Sequence, residues 1–292
     1  MTCRLLLFAI FFGACLSARS AHATWSIVAA DPQTGQLGGA GTSCVGDLDV
    51  RVIFGAAPGK GAVHAQARLS TDGRDQAVSL LEQDQTPAAI IAAITDARFD
   101  PRAAERQYGV VSLSQDPAAW TGEENGSWAG DVQGAADGIR YSAQGNILTG
   151  APVVTRTADA FAQGQACDLA ERLLVALTAG RDEGQGDSRC TDAGVPSDSA
   201  FLIVIDADGQ TRVDLSVVGT GRQDPLALLR ADFDRWREDH PCPDAETEES
   251  STASEESPES GPGCRGGRAA LLVPLMASGL LRRRRTPDGR AG

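Results

Sequence analysis

Lysine is almost absent: of the 26 basic residues only Lys60 is not arginine. Against 39 acids they leave a net charge of −13, which excludes a general nucleic-acid binder, because that function needs a basic face. Histidine is scarce too. His22, His64 and His240 are too few for a multi-histidine metal centre, and no Cys-x-x-Cys supports zinc or thioredoxin-like chemistry. No apolar run reaches the roughly 20 residues of an ordinary membrane-spanning helix. Glycine is plentiful, at 33 residues, but lacks a three-residue period, so collagen is excluded. What is present, 42% apolar and 22% charged residues in a chain of 292, suits one or two globular domains.

Both ends read as addresses. Residues 1–23 have the parts of a secretory signal peptide: Arg4, an apolar stretch from Leu5 to Leu16, and the small-x-small site Ala21-His22-Ala23. Gly13-Ala14-Cys15 is a rival, lipobox-like end with Phe12 where Leu is usual, and lipidation there would start the mature protein at Cys15. A domain over 24–240 follows. Residues 241–262 form an acidic, serine-rich spacer, with seven acids and no base from 243 to 262, expected to be disordered. Residues 263–292 carry Cys264, an apolar run at 269–281 and the cluster Arg282-Arg283-Arg284-Arg285. That order resembles a MYXO-CTERM-type sorting tail. As a helix the run rises only about 20 Å, so membrane contact through this tail is expected but a permanent span is marginal. The expected location is the cell surface or outer envelope, with release after tail processing as the other outcome.

Four cysteines remain in the exported domain, Cys44, Cys167, Cys190 and Cys242, enough for two disulfides with three pairings open. Alternation and turn residues predict a hairpin of strands Thr24 to Ala30 and Leu37 to Cys44 around Asp31-Pro32-Gln33-Thr34-Gly35. Further strands are expected at Val50 to Ala57, Gly61 to Leu69, Tyr108 to Ser114, Ala118 to Thr121, Ile139 to Leu148, Phe201 to Ile205 and Arg212 to Val217. Helices are expected at Thr71 to Leu81, after Thr86-Pro87, at Val153 to Ala162, at Cys167 to Ala179 ending on Gly180, and from Asp224-Pro225 onward. This order suits an α+β layered domain better than βαβ winding.

Several short motifs occur together over residues 24–238. They are Thr24-Trp25-Ser26-Ile27-Val28-Ala29, Gly61-Ala62-Val63 with Gln66-Ala67, Arg106-Gln107-Tyr108-Gly109-Val110-Val111, Trp128-Ala129-Gly130, Gln144-Gly145-Asn146-Ile147-Leu148, Gly186-Asp187-Ser188-Arg189 and Asp224-Pro225. In that order they resemble the domain-of-unknown-function 1028 family. The resemblance implies an Ntn-hydrolase-like fold, a four-layer αββα sandwich whose catalytic members use the first residue as nucleophile. The chain departs from the pattern at Asp131, where a His is expected, and in a longer loop from Cys190 to Asp198.

Cleavage after Ala23 would make Thr24 the first residue. Its hydroxyl is a weak nucleophile alone, but a free α-amine of pKa roughly 7.7–8 can accept its proton. The opposing reading is a β-branched residue that opens a strand beside a convenient signal site. Asn146 and the Gly145 backbone are the oxyanion candidates and Ser43 the support of the nucleophile. Gln66, Asp187 and Arg189 are candidate substrate-binding residues, with an Asp187–Arg189 ion pair that holds a loop as the plainer alternative. Lys60 is expected in an exposed turn and His64 against a sheet. No metal or other cofactor is called for. The expected partner is a small-molecule or peptide amide, a homo-oligomer being left open. Two functions stand side by side: an exported N-terminal-threonine amidohydrolase, and a catalytically silent surface module that binds a ligand or partner.

Overall fold

A computed structural model describes residues 23–242, all within one compact unit of the chain. The signal-peptide reading of 1–22, the spacer from 243 and the C-terminal tail lie outside the described residues. Among the described residues no helix is long and apolar enough to cross a membrane.

Ten strands form two antiparallel sheets. β1 (Thr24–Ala30), β2 (Leu37–Ser43), β7 (Ala129–Ala136), β8 (Ile139–Asn146), β9 (Ser199–Ile205) and β10 (Thr211–Val217) make a six-stranded sheet in the order β10-β9-β2-β1-β8-β7. β3 (Phe54–Ala57), β4 (Gly61–Ala67), β5 (Arg106–Ser112) and β6 (Ala118–Thr121) make the second, in chain order. The helices are α1 (Thr71–Glu82), α2 (Pro87–Ile94), α3 (Pro152–Gln163), α4 (Leu169–Ala179) and α5 (Pro225–Asp239).

β1 is central and buried along its whole length. Its side chains alternate between faces, as the strand period requires. Trp25, Ile27 and Ala29 pack against Phe161 of α3, Leu173 and Leu177 of α4 and Phe233 of α5. Val28 and Ala30, on the opposite face, meet Ala62 and Val111 of the second sheet. The second sheet rests its other face on Ala77 and Leu81 of α1 and Ile90 and Ile94 of α2. The fold is therefore mixed α+β, with two antiparallel sheets and five α-helices among the described residues.

Local signals explain most elements. Asp31 closes the first hairpin by accepting from Gln33 N at 2.9 Å and Thr34 Oγ1 at 2.8 Å. Thr86 caps α2 through Ala89 N at 3.2 Å, and Asp224 caps α5 through Leu226 N at 2.9 Å. Gly180 does follow α4, but in a right-handed conformation. A Cβ there would lie 2.7 Å from both Thr157 Oγ1 and Trp25 Nε1, so close packing is the reason for glycine.

Two expectations change. The strand expected from Val50 starts as a 3-10 turn, Val50–Ile53, because the Asp49 carboxylate accepts from Arg51 N at 3.0 Å and curls the chain. β7 has no counterpart in the sequence reading: its small, half-exposed residues carry little strand signal, and it is aligned by β8, with Gly130 opposite Gly145.

The cysteine pairs are Cys44–Cys190 and Cys167–Cys242, which close spans of 146 and 75 residues. The second pins the end of α5 beside the start of α4, where Arg237 also forks onto Asp168 at 2.8 and 2.9 Å.

Candidate active site

The antiparallel register brings the start of β1 against the ends of β2 and β8. Thr24 faces Ser43 on one side and Asn146 on the other. Two residues proposed from sequence, one at the end of β2, 19 positions downstream, and one 122 positions downstream, are thus its immediate neighbours across the ladder.

Thr24 is buried, 2% exposed, and its Oγ1 donates to Ser43 Oγ at 3.2 Å. Ser43 Oγ in turn donates to the carbonyl oxygen of Ala23, a short contact. Arg189 Nη2 donates to the same oxygen at 3.1 Å. The peptide carbonyl just before Thr24 therefore sits between a hydroxyl and a guanidinium, one hydroxyl away from the candidate nucleophile.

Asp187 orients that guanidinium. Its carboxylate, fully buried, accepts from Arg189 Nε at 3.1 Å, Arg189 Nη2 at 2.8 Å and Cys44 N at 2.7 Å. Burial pushes the Asp187 carboxyl above the ordinary range, and Arg189 and the two backbone N–H groups pull it back. The Cys44–Cys190 disulfide ties the two segments together, since Cys44 follows Ser43 and Cys190 follows Arg189. Cys44, Cys190 and Asp198 have metal-ligand spacing, but both sulfurs are spent in that bond.

Gln66 lies on the other side. Its Nε2 donates to Thr24 O at 3.2 Å and to Gln107 Oε1 at 2.8 Å, while its Oε1 accepts from Ser26 Oγ at 2.6 Å. It holds the β1 backbone and also lines the small cavity beside Thr24. Gly145 sits between Trp25 and Gly130 in the ladder, and its carbonyl accepts from Gln107 Nε2 at 2.8 Å. Asp131 accepts from Thr121 Oγ1 at 2.8 Å, at the flank of this network.

Two residues beside the site are in left-handed backbone that their side chains disfavour: Ala67, with φ 69°, after Gln66, and Ile147, with φ 52°, after Asn146. Each costs about 1–3 kcal/mol and persists only where the surroundings impose it, a pattern concentrated at functional sites. Neither carries a sequence signal, because neither is Gly, Asn or Asp. The sequence reading also omits an apolar wall. Thr24 lines a small cavity of about 20 Å³ with Val45, Leu48, Val50, Ile53 and Leu69.

His64 is fully buried, and burial holds its imidazole at about 3 against an ordinary 6.5. Ser26 Oγ spends its proton on Gln66, so Nδ1 is the donor in the 2.9 Å contact with His64, and the depressed pKa keeps the ring neutral. It is a core residue. Lys60 reaches Asp84 at 2.6 Å in an exposed turn. A larger cavity of about 660 Å³ opens at the opposite end of β1. Its arginines face carboxylates there: Arg172 on Asp137, Arg212 on Asp206 and Arg237 on Asp168.

The protein is similar to protein SPO2555 from Silicibacter pomeroyi, whose crystal structure is assigned to DUF1028. The two share 25% identity at a TM-score of 0.61, over 74% of this chain and 89% of the other. No curated protein matches it. The model of the "family of unknown function (DUF1028)" matches residues 24–229, well over half of the chain, and the protein belongs to that family.

Proposed function

We propose that the protein is an exported N-terminal-nucleophile amidohydrolase with Thr24 as nucleophile, on a helix–sheet–sheet–helix scaffold of the Ntn type. The observation that carries this reading is the placement of Thr24. It is the buried first residue of the central strand, its hydroxyl is in contact with Ser43, and the family match begins at that same residue. Two disulfides favour an oxidising compartment, in keeping with removal of residues 1–23 on export and surface attachment through the tail.

Once Ala23 is removed, the Thr24 nitrogen is an amine. It takes the Oγ1 proton as Oγ1 attacks the amide carbon, and the developing oxyanion is met by fixed donors, each worth about 10²–10³ in rate. Asn146, across the ladder from Thr24, and Gly145 are the residues assigned that role. The C–N bond breaks and the proton passes to the leaving amine. Water then attacks the Thr24 ester and gives up a proton to the amine, the C–Oγ1 bond breaks, that proton passes to Oγ1, and the carboxylic acid departs.

The test compares the mature protein beginning at Thr24 with its variants on a panel of aminoacyl, short-chain acyl and benzoyl p-nitroanilides. Thr24→Ala is expected to lower turnover by at least a thousandfold with the melting temperature within about 2 °C of the parent, since only a hydroxyl and a methyl are lost. Thr24→Ser keeps part of the rate. A chain retaining Ala23 is as inactive as Thr24→Ala, because an amide nitrogen is not a base. Unaltered turnover in Thr24→Ala, or a secreted protein whose first residue is Cys15 or Ser17, removes the assignment and leaves a binding module.

A further inference from the structure

Resting on that reading, we propose that Ala23 occupies the acyl subsite of the enzyme, so that its substrates are amides of short, uncharged aliphatic acyl groups whose freed carboxylate is held by Arg189 and the Thr24 amine. The argument starts from what residue 23 touches. Its carbonyl oxygen accepts from Ser43 Oγ and from Arg189 Nη2, and Ser43 Oγ is itself 3.2 Å from Thr24 Oγ1. Removing residue 23 leaves two aimed donors without that oxygen. Ser43 is buried and Arg189, held by Asp187, is partly exposed, and a ligand that restores the lost acceptor satisfies the buried hydroxyl and meets the guanidinium. The second oxygen that hydrolysis adds to the acyl carbon reaches the nucleophile's own hydrogen-bond partner in that place, while the first keeps the oxyanion donors assigned above. After hydrolysis a carboxylate there gains two cations, the Arg189 guanidinium and the new Thr24 ammonium.

Size and polarity set the rest. The Ala23 methyl is fully buried, so the place it fills admits a small side chain. The cavity along the Thr24 side chain has about 20 Å³, close to a single water-sized sphere, and Val45, Val50, Ile53 and Leu69 wall it with hydrocarbon. No ionisable residue lines it. A glutamyl or lysyl side chain would arrive there without a counter-charge, and burial of an unpaired charge is strongly unfavourable. An aromatic ring exceeds the space. Acetyl to butyryl groups match both the volume and the polarity.

Isothermal titration with propionate, butyrate, benzoate and glutarate tests this without any turnover. The mature protein beginning at Thr24 should bind propionate and butyrate at least tenfold more tightly than benzoate or glutarate. Retention of Ala23 should abolish the binding, because the chain's own carbonyl holds the site. Arg189→Gln should weaken it at least tenfold and Arg189→Lys less. Leu48→Ala, at the exposed rim, and the mild Ile53→Val should both shift the preference toward benzoate. Equal affinity for all four acids, or undiminished binding when Ala23 is retained, overturns the proposal. The two ideas fail separately. Ordered carboxylate binding with no amide turnover defeats the hydrolase reading and keeps the subsite. Turnover of propionyl and benzoyl p-nitroanilides at equal rates defeats the subsite and keeps the hydrolase.

Discussion

The two faces of β1 are held by different forces. Toward the helices, Trp25, Ile27 and Ala29 meet a continuous apolar layer that includes Phe161, Leu173 and Phe233. Toward the second sheet, Ser26 meets Gln66 at 2.6 Å, Gln144 at 2.8 Å and His64 at 2.9 Å, and only Val28 and Ala30 return to hydrocarbon. The polar stretch lies at the Thr24 end. Hydrophobic contact is non-directional and tolerates sliding, whereas a saturated amide network in a low dielectric admits one geometry. The apolar face thus supplies stability. The polar face positions the strand, and through Gln66 Nε2 on Thr24 O it fixes where the first residue sits.

The sharpest way to break this contrast is to truncate each face in turn. Phe161→Ala on the helix side should cost about 3–5 kcal/mol in urea denaturation, the range for a large aromatic lost from a core. Carboxylate binding and turnover, measured well below the new midpoint, should barely change. Gln66→Leu keeps the volume but strands Ser26 Oγ, Thr24 O and Gln107 Oε1. Its expected cost is smaller, about 1–3 kcal/mol, yet activity should fall at least tenfold because Thr24 loses its tether. If Phe161→Ala damaged activity more than Gln66→Leu, the division of labour between the faces would be wrong.

The same contrast explains what could be read from the sequence. The β1–β2 hairpin was legible because alternation and the Asp31 turn are local, and that hairpin alone sets Thr24 opposite Ser43. Helix starts at Thr86 and Asp224 were legible for the same reason. Asn146 beside Thr24 follows from a pairing 122 residues apart that no local pattern encodes; the family motifs pointed to the residue, not to its neighbour. The left-handed Ala67 and Ile147 were silent because tertiary packing, not residue type, imposes them. The polar layer was silent as well. Gln66 stood out as a candidate binding residue, but its junction with Gln107 and Gln144 exists only once three strands bring them together, and the pairing of the four cysteines needed the fold in the same way.

The smallest effect tests the polar face through pH. Burial holds His64 at about 3 in the fold against 6.5 when unfolded. Between those values the unfolded chain binds the proton and the native ring does not, so this contribution is complete above pH 6.5 and is lost as pH falls toward 3. The limiting slope is about 1.4 kcal/mol per pH unit, and between pH 6.5 and 5.5 the loss is about 1 kcal/mol. Asp187 acts with the opposite sign, because its raised carboxyl pKa favours the fold in acid. The measurement is therefore a difference. Urea midpoints of the parent and of His64→Gln, taken from pH 7 to pH 4.5, should diverge in slope, with the variant losing less stability on acidification. Parallel curves would mean that the ring is protonated in the fold, with the extra proton on the buried Nε2, since Nδ1 already donates to Ser26 Oγ.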